Sequence, residues 1–277
     1  MNHVQPDLPQ YEVLALRFAH TEFNAKDAFL GRGDVHDGPQ PLDFFIWVVR
    51  GDGRTIVMDM GFGDEACAHR PIRPDRHPVE VLADVGIDAA TVTDVVISHL
   101  HFDHAGNSGY FKKARFHLQD AEMAFSTGRY MRYKILTRAT DVLSVTAMVR
   151  HVYDGRVEFH DGDEEIFPGI SVHKIGGHTG GMQVMRVHTS RGWVVLASDA
   201  AHFYANLDND NPFAIVLNVA EVLEGNRRLR ALASTPEHII PGHDPEVLRR
   251  YPPYPGLEGQ VACLHLPPTP RGAAGGT

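Results

Sequence analysis

Residues 97–107, with the sequence ISHLHFDHAGN, concentrate side chains that bind divalent metals. His99, His101, Asp103 and His104 form an H-x-H-x-D-H pattern directly after an apolar run. In an extended segment, residues i and i+2 point to the same face, so His99, His101 and Asp103 can converge there. A turn at His104 can direct its ring to a neighbouring position. Because imidazole and carboxylate are accepted ligands of zinc and similar ions, the spacing predicts a metal site.

Three further ligand-type residues follow at the ends of predicted strands or in turns. His178 lies between glycine pairs in GGHTGG, Asp199 ends the apolar run of LASDAA, and His243 follows a strand in IIPGHDP. Each of them alone is typical of an exposed or capping residue. With the first cluster they make five histidines and two aspartates, which is enough for two metal ions with one carboxylate bridging them.

The segments that must position these residues have strand and helix character. LDFFIWVVR and RTIVMDMG are joined by Gly-Asp-Gly, which indicates a β-hairpin, and MQVMRVHT and GWVVLASDA form a second pair. HPVEVLADVGI and VAEVLEGNRRLRALAST have the spacing of amphipathic helices. The residues expected on the apolar side of the second helix are Val219, Val222, Leu223, Leu229 and Leu232. These elements predict a single α/β domain with two mixed sheets.

The bulk composition narrows the class of protein. The chain has 277 residues, of which 43% are hydrophobic, and a net charge of −9 without a long basic run, so we expect a sizeable core and no nucleic-acid partner. Cys67 and Cys263 are far apart and outside any C-x-x-C motif, which fits a reducing compartment. No signal-peptide pattern and no apolar run of spanning length occur, so we expect a cytoplasmic protein without a membrane partner.

We expect the domain to cover residues 1–265. Residues 266–277, which include PPTPRGAAGGT, form a Pro/Gly/Ala-rich tail with the composition of a loosely ordered segment.

The motifs SHLHFDHAGN, GGHTGG, LASDAA and IIPGHDP together resemble the ordered motifs of the metallo-β-lactamase-fold hydrolases. Within that superfamily the chain is most similar to the N-acyl-homoserine lactonase group, and MDMG at residues 58–61 resembles the early aspartate-glycine turn of that group. The likeness extends from about Asp43 to Pro245. It implies an αββα sandwich, a four-layer α+β arrangement in which two mixed sheets are flanked by helices and the metals lie at one edge of the β layers.

The resemblance also implies a division of the ligands between two divalent ions, zinc in the first place and iron, cobalt or manganese otherwise. His99, His101 and His178 would hold one ion. Asp103, His104 and His243 would hold the other, with Asp199 bridging. Neither cysteine lies near a matching motif, which disfavours the branch of true β-lactamases that use a cysteine ligand.

The chemistry expected of such a site is the hydrolysis of an ester, most simply a lactone related to the acyl-homoserine lactones. Two close ions can hold a bridging hydroxide at neutral pH, because metal binding lowers the pKa of water to about 7. The hydroxide would attack the carbonyl, and Asp103 and Asp199 would be catalytic as well as ligating, with Asp199 orienting the hydroxide and taking up its proton. Asp59 is a candidate partner of a ligand histidine, or alternatively a turn residue.

The substrate-contacting residues are less defined. Lactonases of this group usually carry a tyrosine three residues after the bridging aspartate, whereas this chain has His202 there and Tyr204 two residues later. Either could contact the substrate. Residues 120–150 are predicted to be mostly helical, with a break near Ser126–Gly128. Residues 121–153 are predicted to form the specificity element, and the side chains expected near one another there are Tyr130, Met131, Tyr133 and Ile135, with Arg129 and Arg132. The alternative is a helix that packs on the sheet.

Other functions of the same fold remain open. A glyoxalase-II-like thioesterase would share the metal site, and a glutathione thioester would favour basic residues near the pocket. An iron-dependent dioxygenase or a non-catalytic metal-binding protein needs fewer ligands than the seven found here. A small molecule with an ester or lactone carbonyl is the expected partner, and a homodimer is possible.

Overall fold

The computed structural model describes residues 8–31 and 38–270. Each of the two predicted hairpins lies within one sheet, β2–β3 in the larger sheet and β9–β10 in the smaller one. The larger sheet has seven strands in the order β12-β1-β2-β3-β4-β5-β6. Their bounds are β1 Glu12–Asn24, β2 Pro39–Gly51, β3 Arg54–Met58, β4 Asp94–Val96, β5 Arg115–Gln119, β6 Val157–His160 and β12 Val261–Cys263. Pairing is antiparallel from β12 to β3 and parallel from β3 to β6.

The smaller sheet has five strands in the order β11-β10-β9-β8-β7. They are β7 Asp163–Phe167, β8 Ile170–Lys174, β9 Gln183–Thr189, β10 Gly192–Ser198 and β11 Ile239–Pro241. Only β10 and β11 pair in parallel, and the other neighbours are antiparallel. The two parallel strands therefore end at the same edge of the sheet, where ligand-type residues follow them.

Helices cover the outer faces of both sheets. The α-helices are α1 Asp64–Cys67, α2 Pro78–Asp84, α3 Asp120–Ser126, α4 Lys134–Thr137, α5 Val142–Tyr153, α6 Tyr204–Asp208, α7 Val219–Leu232 and α8 Glu246–Arg250. Within the described ranges, no helix is long and apolar enough to cross a membrane.

The alternation of side chains along the strands produces three apolar layers. In β2, Phe45 and Trp47 pack between the sheets together with residues of β8–β11. The intervening Ile46 and Val48 face the other way and join the cluster that contains α2 and α5. Residues of β9 and β10 such as Val195 pack outward against α6 and α7. These layers confirm the expected arrangement of two mixed sheets between helices.

Two local expectations differ from the structure. Val219, predicted on the buried side of α7, is 39% exposed because it occupies the first position of the helix, and Val222 and Leu229 supply the buried contact. Strand β12 had no sequence signal, since it is only three residues long, but it completes the edge beside β1. Of the predicted tail, residues 271–277 lie outside the described residues.

Candidate metal centre

The seven predicted ligand residues converge at one edge of the two sheets, on loops that follow strand ends. His99, His101, Asp103 and His104 lie in the loop after β4, and His178 lies in the loop between β8 and β9. Asp199 directly follows β10, and His243 follows β11 by two residues. Both sheets thus contribute to a site beyond the carboxyl ends of their parallel strands, where α/β sheets commonly bind ligands. All seven side chains are buried.

Asp199 lies between two groups of imidazoles and turns a different oxygen to each. Its Oδ2 is 3.2 Å from Nε2 of His178 and 3.7 Å from Nε2 of His99. Its Oδ1 is 2.9 Å from Nε2 of His243 and 3.2 Å from Nε2 of His104. A carboxylate placed in this way can join two ligand sets, which is the role that the family resemblance implies for Asp199.

The remaining two ligand-type residues complete one group each. His101 places Nδ1 3.0 Å from Nε2 of His178, so these atoms and Oδ2 of Asp199 border the same space. Asp103 places Oδ2 3.3 Å from Nε2 of His104 and 3.7 Å from Nε2 of His243. Within each of the two groups, His99–His101–His178–Asp199 and Asp103–His104–His243, the potential ligand atoms lie within 4.8 Å of one another.

In His178 and His243 the ring nitrogen that faces away from the site is hydrogen-bonded to a backbone carbonyl, and this bond directs the other ring nitrogen at the site. Nδ1 of His178 donates to the carbonyl of Ile215 at 2.8 Å, and Nδ1 of His243 donates to the carbonyl of Asp43 at 2.8 Å. An Nδ1–H that donates outward leaves Nε2 unprotonated in the neutral ring, which is the form that binds a metal.

Asp59 hydrogen-bonds a further ligand-type histidine, which corresponds to the first of the two roles considered for it. Its Oδ2 accepts from Nδ1 of His104 at 2.8 Å and from the hydroxyl of Ser98 at 2.8 Å, and its Oδ1 accepts from the Ser98 amide at 2.7 Å. The Ser198 hydroxyl donates to Oδ2 at 3.2 Å, and Ser98 Oγ lies 3.0 Å from Nδ1 of His99. The two serines were not predicted, because a serine at a strand end has no distinctive sequence signal.

Burial favours the neutral, ligating form of two of the histidines. Desolvation, together with the adjacent ring of His104, lowers the pKa of His99 well below its ordinary value. Desolvation and the ring of His178 do the same for the pKa of His101. Since a metal competes with protons for these nitrogens, neutral rings are ready to bind one.

The aspartates and the remaining histidines give the site an electrostatic environment that favours a bound cation. Burial would raise the pKa of Asp199, but neighbouring imidazoles, above all His202 and His104, hold it well below its ordinary value. Burial opposes a charge on His104 as well, but the carboxylates of Asp103 and Asp199 raise its pKa well above its ordinary value. A buried group of ionised carboxylates therefore attracts positive charge, which a proton or a divalent ion can supply.

Two buried nitrogens that border the site form no hydrogen bond among the described residues, and this indicates whether the residues fit a metal. They are Nε2 of His99 and Nε2 of His104. An unpaired polar atom in the interior is costly, and both atoms belong to rings whose other nitrogen is already hydrogen-bonded. Imidazole nitrogens and carboxylate oxygens are the donors that zinc and similar ions accept. The residues present therefore fit the binding of divalent metal.

Glu122 at the start of α3 fixes the two ligand loops relative to each other, and sequence reasoning did not find it. Its Oε1 accepts from the Leu100 amide at 2.9 Å, and its Oε2 accepts from the Thr179 hydroxyl at 2.6 Å and the Gly181 amide at 2.9 Å. Desolvation raises the pKa of this fully buried carboxyl. A glutamate in a helix is normally exposed, so no pattern in the sequence distinguished it.

The two residues predicted to contact the substrate are placed differently. His202 is buried in the site, with Nε2 3.0 Å from Oδ2 of Asp199 and its ring stacked on Phe213 at a centroid distance of 3.8 Å. Tyr204 packs in the apolar layer between the sheets, with the guanidinium of Arg250 3.6 Å from its ring centroid. The structure thus brings His202 to the ligand cluster but not Tyr204, because α6 begins at residue 204 and turns its side chain into the core.

An apolar cavity of about 460 Å³ lies beside the cluster. Phe102, which lies between two ligand residues, forms part of its wall together with Phe213 and Ile215. Ile215 is the residue whose carbonyl holds His178, so the cavity and the ligand cluster share structural elements. The guanidinium of Arg70 lies over the ring of Phe102 at 4.1 Å.

Comparison with known proteins gives a family match and several relatives. The model of the Metallo-beta-lactamase superfamily matches residues 43–243. An N-acyl homoserine lactonase from a Bacillus species is 29% identical over 170 residues, covering 61% of this chain and 62% of that protein. The match thus spans about three-fifths of the length of that relative. The N-acyl homoserine lactonase AttM from Azorhizobium caulinodans is 27% identical over 252 residues, covering 82% of this chain and 90% of the relative.

Solved structures share the fold at low identity. A quorum-quenching N-acyl homoserine lactone lactonase has a TM-score of 0.69 and 22% identity, covering 85% of this chain and 92% of its own. The hydrolase AbOPH has a TM-score of 0.70 and 16% identity, covering 95% and 98%. The family match and these structures confirm the resemblance and the αββα fold predicted from the motifs.

Proposed function

The chain belongs to the metallo-β-lactamase superfamily, and from that premise we propose that it is a dinuclear-metal hydrolase that opens a lactone or a similar cyclic ester. The observation that carries the proposal is the position of Asp199 between two groups of buried ligand-type residues, one facing each carboxylate oxygen. The names of the curated relatives, N-acyl homoserine lactonases, support the choice of a lactone.

The proposed ligands are those predicted from the sequence. His99, His101 and His178 would hold one divalent ion and Asp103, His104 and His243 the other, with Asp199 between them. When bound, two such ions generate a nucleophile from water at neutral pH and polarise the substrate carbonyl. Zinc suits this mixture of imidazole and carboxylate donors, although iron, cobalt and manganese accept it as well.

Residues of the chain would transfer the proton from the nucleophile to the leaving group. In this proposal Asp199 would orient the nucleophile and take up its proton. His202 lies within hydrogen-bonding distance of Asp199, with Nε2 3.0 Å from Oδ2. Burial lowers the pKa of His202 to about 4, against the opposing charge of Asp199. His202 can therefore act as a neutral ring that passes a proton from Asp199 to the leaving oxygen of the opened ester.

The neighbouring cavity supports a substrate with an apolar part. The side chains of Phe102, Phe213 and Ile215 offer an apolar wall next to the ligand residues, and such a wall suits an aliphatic group attached to the reacting ring. The wall also contains Arg70 and Arg138, and basic residues near the pocket are what a glutathione thioester would favour. The choice of a lactone over the thioesterase alternative is therefore supported by the names of the curated relatives rather than by the cavity.

The deciding experiment compares the metal-loaded protein on a panel of lactones and a panel of thioesters. We expect lactone turnover to exceed thioester turnover, and we expect His101→Ala or Asp103→Asn to abolish it while the circular dichroism spectrum stays unchanged. Faster thioester turnover would favour the thioesterase. Wild-type activity in either variant would refute the ligand assignment, and one iron per chain without hydrolysis would remove the hydrolase proposal.

A further inference from the structure

The segment between α3 and α5 carries a concentration of positive charge that contrasts with the rest of the chain. We call residues 129–138, with the sequence RYMRYKILTR, the basic–aromatic segment. Its four basic side chains, Arg129, Arg132, Lys134 and Arg138, are all exposed, and no acidic residue occurs from residue 123 to residue 140. The whole chain has a net charge of −9. The segment is therefore a local basic surface on an acidic protein.

The same surface exposes large apolar side chains. Ile135 is 71% exposed, and Tyr130 and Tyr133 are about half exposed; Val142 and Leu143, at the start of α5, are 68% and 50% exposed. Of the eleven large hydrophobic side chains that are exposed among the described residues, five lie between residues 130 and 143. The sequence left open that this segment packs on the sheet, and for these side chains the structure contradicts that alternative. Such a concentration marks an interaction surface.

The basic–aromatic segment is joined to the candidate metal centre through its C-terminal end. The backbone amide of Phe102 donates to the carbonyl of Ala139 at 2.8 Å, and His101 and Thr140 form an isolated β-bridge. Arg138 and Ala139 also contribute to the wall of the apolar cavity. A partner bound to the segment would consequently lie close to the opening of that cavity.

We propose that the basic–aromatic segment docks onto an anionic lipid surface. Lysine and arginine side chains are attracted to the negative potential of such a membrane, and tyrosine and isoleucine side chains insert at the headgroup level. If the proposed hydrolase function holds, amphiphilic lactones partitioned into the membrane would enter the cavity from this side. The earlier expectation of no membrane partner rested on the lack of a spanning segment, which does not bear on surface docking.

A second copy of the chain fits this surface less well. In a two-fold symmetric dimer the same patch lies on both subunits, so one interface would contain the four basic side chains of each subunit. Repulsion between like charges opposes that arrangement, whereas anionic lipids neutralise the charges. The combination of positive charge and exposed apolar side chains thus favours lipid as the occupant.

The test is co-sedimentation of the full chain with two kinds of vesicle, one of phosphatidylcholine alone and one of equal parts phosphatidylcholine and phosphatidylglycerol. We expect binding to the anionic vesicles that weakens as salt is added. The triple variant R129Q/R132Q/K134Q should lose at least about tenfold in affinity, because each basic side chain near an anionic surface strengthens binding several-fold.

A matched control removes the same charge elsewhere. Lys112, Lys113 and Arg227 are exposed and lie outside the segment, so K112Q/K113Q/R227Q should bind like the wild type. Y133S/I135S should bind more weakly while keeping the salt dependence. Because the substituted side chains are exposed, thermal melting should show each variant folded.

Three outcomes would overturn the proposal. They are the absence of wild-type binding to anionic vesicles, an equal loss in the control variant, and a concentration-dependent dimer that R129Q/R132Q/K134Q disrupts. Vesicle binding is measured without a substrate, so its failure and a failure of lactone hydrolysis are distinguishable.

Discussion

At the scale of single residues, the candidate site depends on hydrogen bonds that orient the ligand-type side chains and are made on the side away from the centre of the site. Asp59 illustrates this, since it is fully buried and contacts His104, Ser98 and Ser198 rather than the centre of the site. Its backbone has φ 61°, a left-handed conformation that aspartate and asparagine tolerate better than most residues. A substitution that keeps this conformation and removes the charge can therefore isolate the orienting role.

We predict that Asp59→Asn lowers metal affinity by about 10–100-fold, the usual effect of losing the partner of a ligand histidine. Competition with a chromophoric chelator measures the affinity. Asp52→Asn is the matched control, because Asp52 is exposed in the β2–β3 turn and also has a positive φ, 49°. Equal affinities of the two variants would show that Asp59 does not support a metal ligand.

His202 is the residue at which this chain departs from the lactonases that it resembles. We predict that His202→Phe lowers kcat by about a hundredfold, as expected for the loss of a residue that transfers a proton in the reaction, with little change in KM. His202→Tyr, which introduces the residue usual in that group, should recover part of the rate. Metal content is measured alongside, because His202 also lies within ligand distance of Asp199 and His243. An unchanged kcat in the phenylalanine variant would exclude a catalytic role.

At the scale of elements, α3 holds together loops that come from different sheets. Glu122 accepts hydrogen bonds from the loop after β4 and from the loop between β8 and β9. The second loop approaches the helix so closely that a Cβ built on Gly181 would lie 2.1 Å from the backbone nitrogen of Glu122. Any side chain at residue 181 would push the loop that carries His178 away from the other ligands.

We accordingly predict that Gly181→Ala destabilises the protein by about 1–3 kcal/mol, the usual range for overpacking, and also weakens metal binding. Urea denaturation and metal titration provide the two measurements. Gly109→Ala is the control, since a Cβ there would meet no atom within 4 Å. Equal free energies of unfolding for the two variants would show that the close approach of the loop to α3 does not contribute to stability.

At the scale of the whole molecule, the candidate centre links the two sheets. Its ligand-type residues follow β4 in the larger sheet and β8, β10 and β11 in the smaller one. A metal bound only by the folded chain stabilises that fold by mass action. The stability of the sandwich and the occupancy of the site should therefore be coupled.

Removal of metal is expected to lower Tm by several degrees, and adding back zinc is expected to restore it in proportion to the logarithm of its concentration. Differential scanning calorimetry of chelator-treated and reloaded protein measures the shift. The variant His101→Ala should respond much less, because one ligand group is incomplete. An identical Tm with and without metal in the wild type would contradict the coupling.

Local patterns in the sequence predicted two mixed sheets in one α/β domain and identified the ligand-type residues, while the resemblance of the motifs implied the αββα sandwich and the grouping of those residues. Ligand-type residues within one loop, as in H-x-H-x-D-H, can be recognised from their spacing. The strands that precede the loops can be recognised from their apolar periodicity, which is a local property of the sequence. The separate motifs at residues 178, 199 and 243 could be joined to that loop because each follows or adjoins a strand of recognisable composition.

Tertiary structure decided what depends on contacts between distant segments. It separated His202 from Tyr204, because the start of α6 turns the tyrosine into the inter-sheet layer. It buried Glu122 against two loops, and it exposed Tyr133 and Ile135 to solvent. Side-chain burial is set by whichever element packs across the chain, and neither residue type nor local periodicity contains that information.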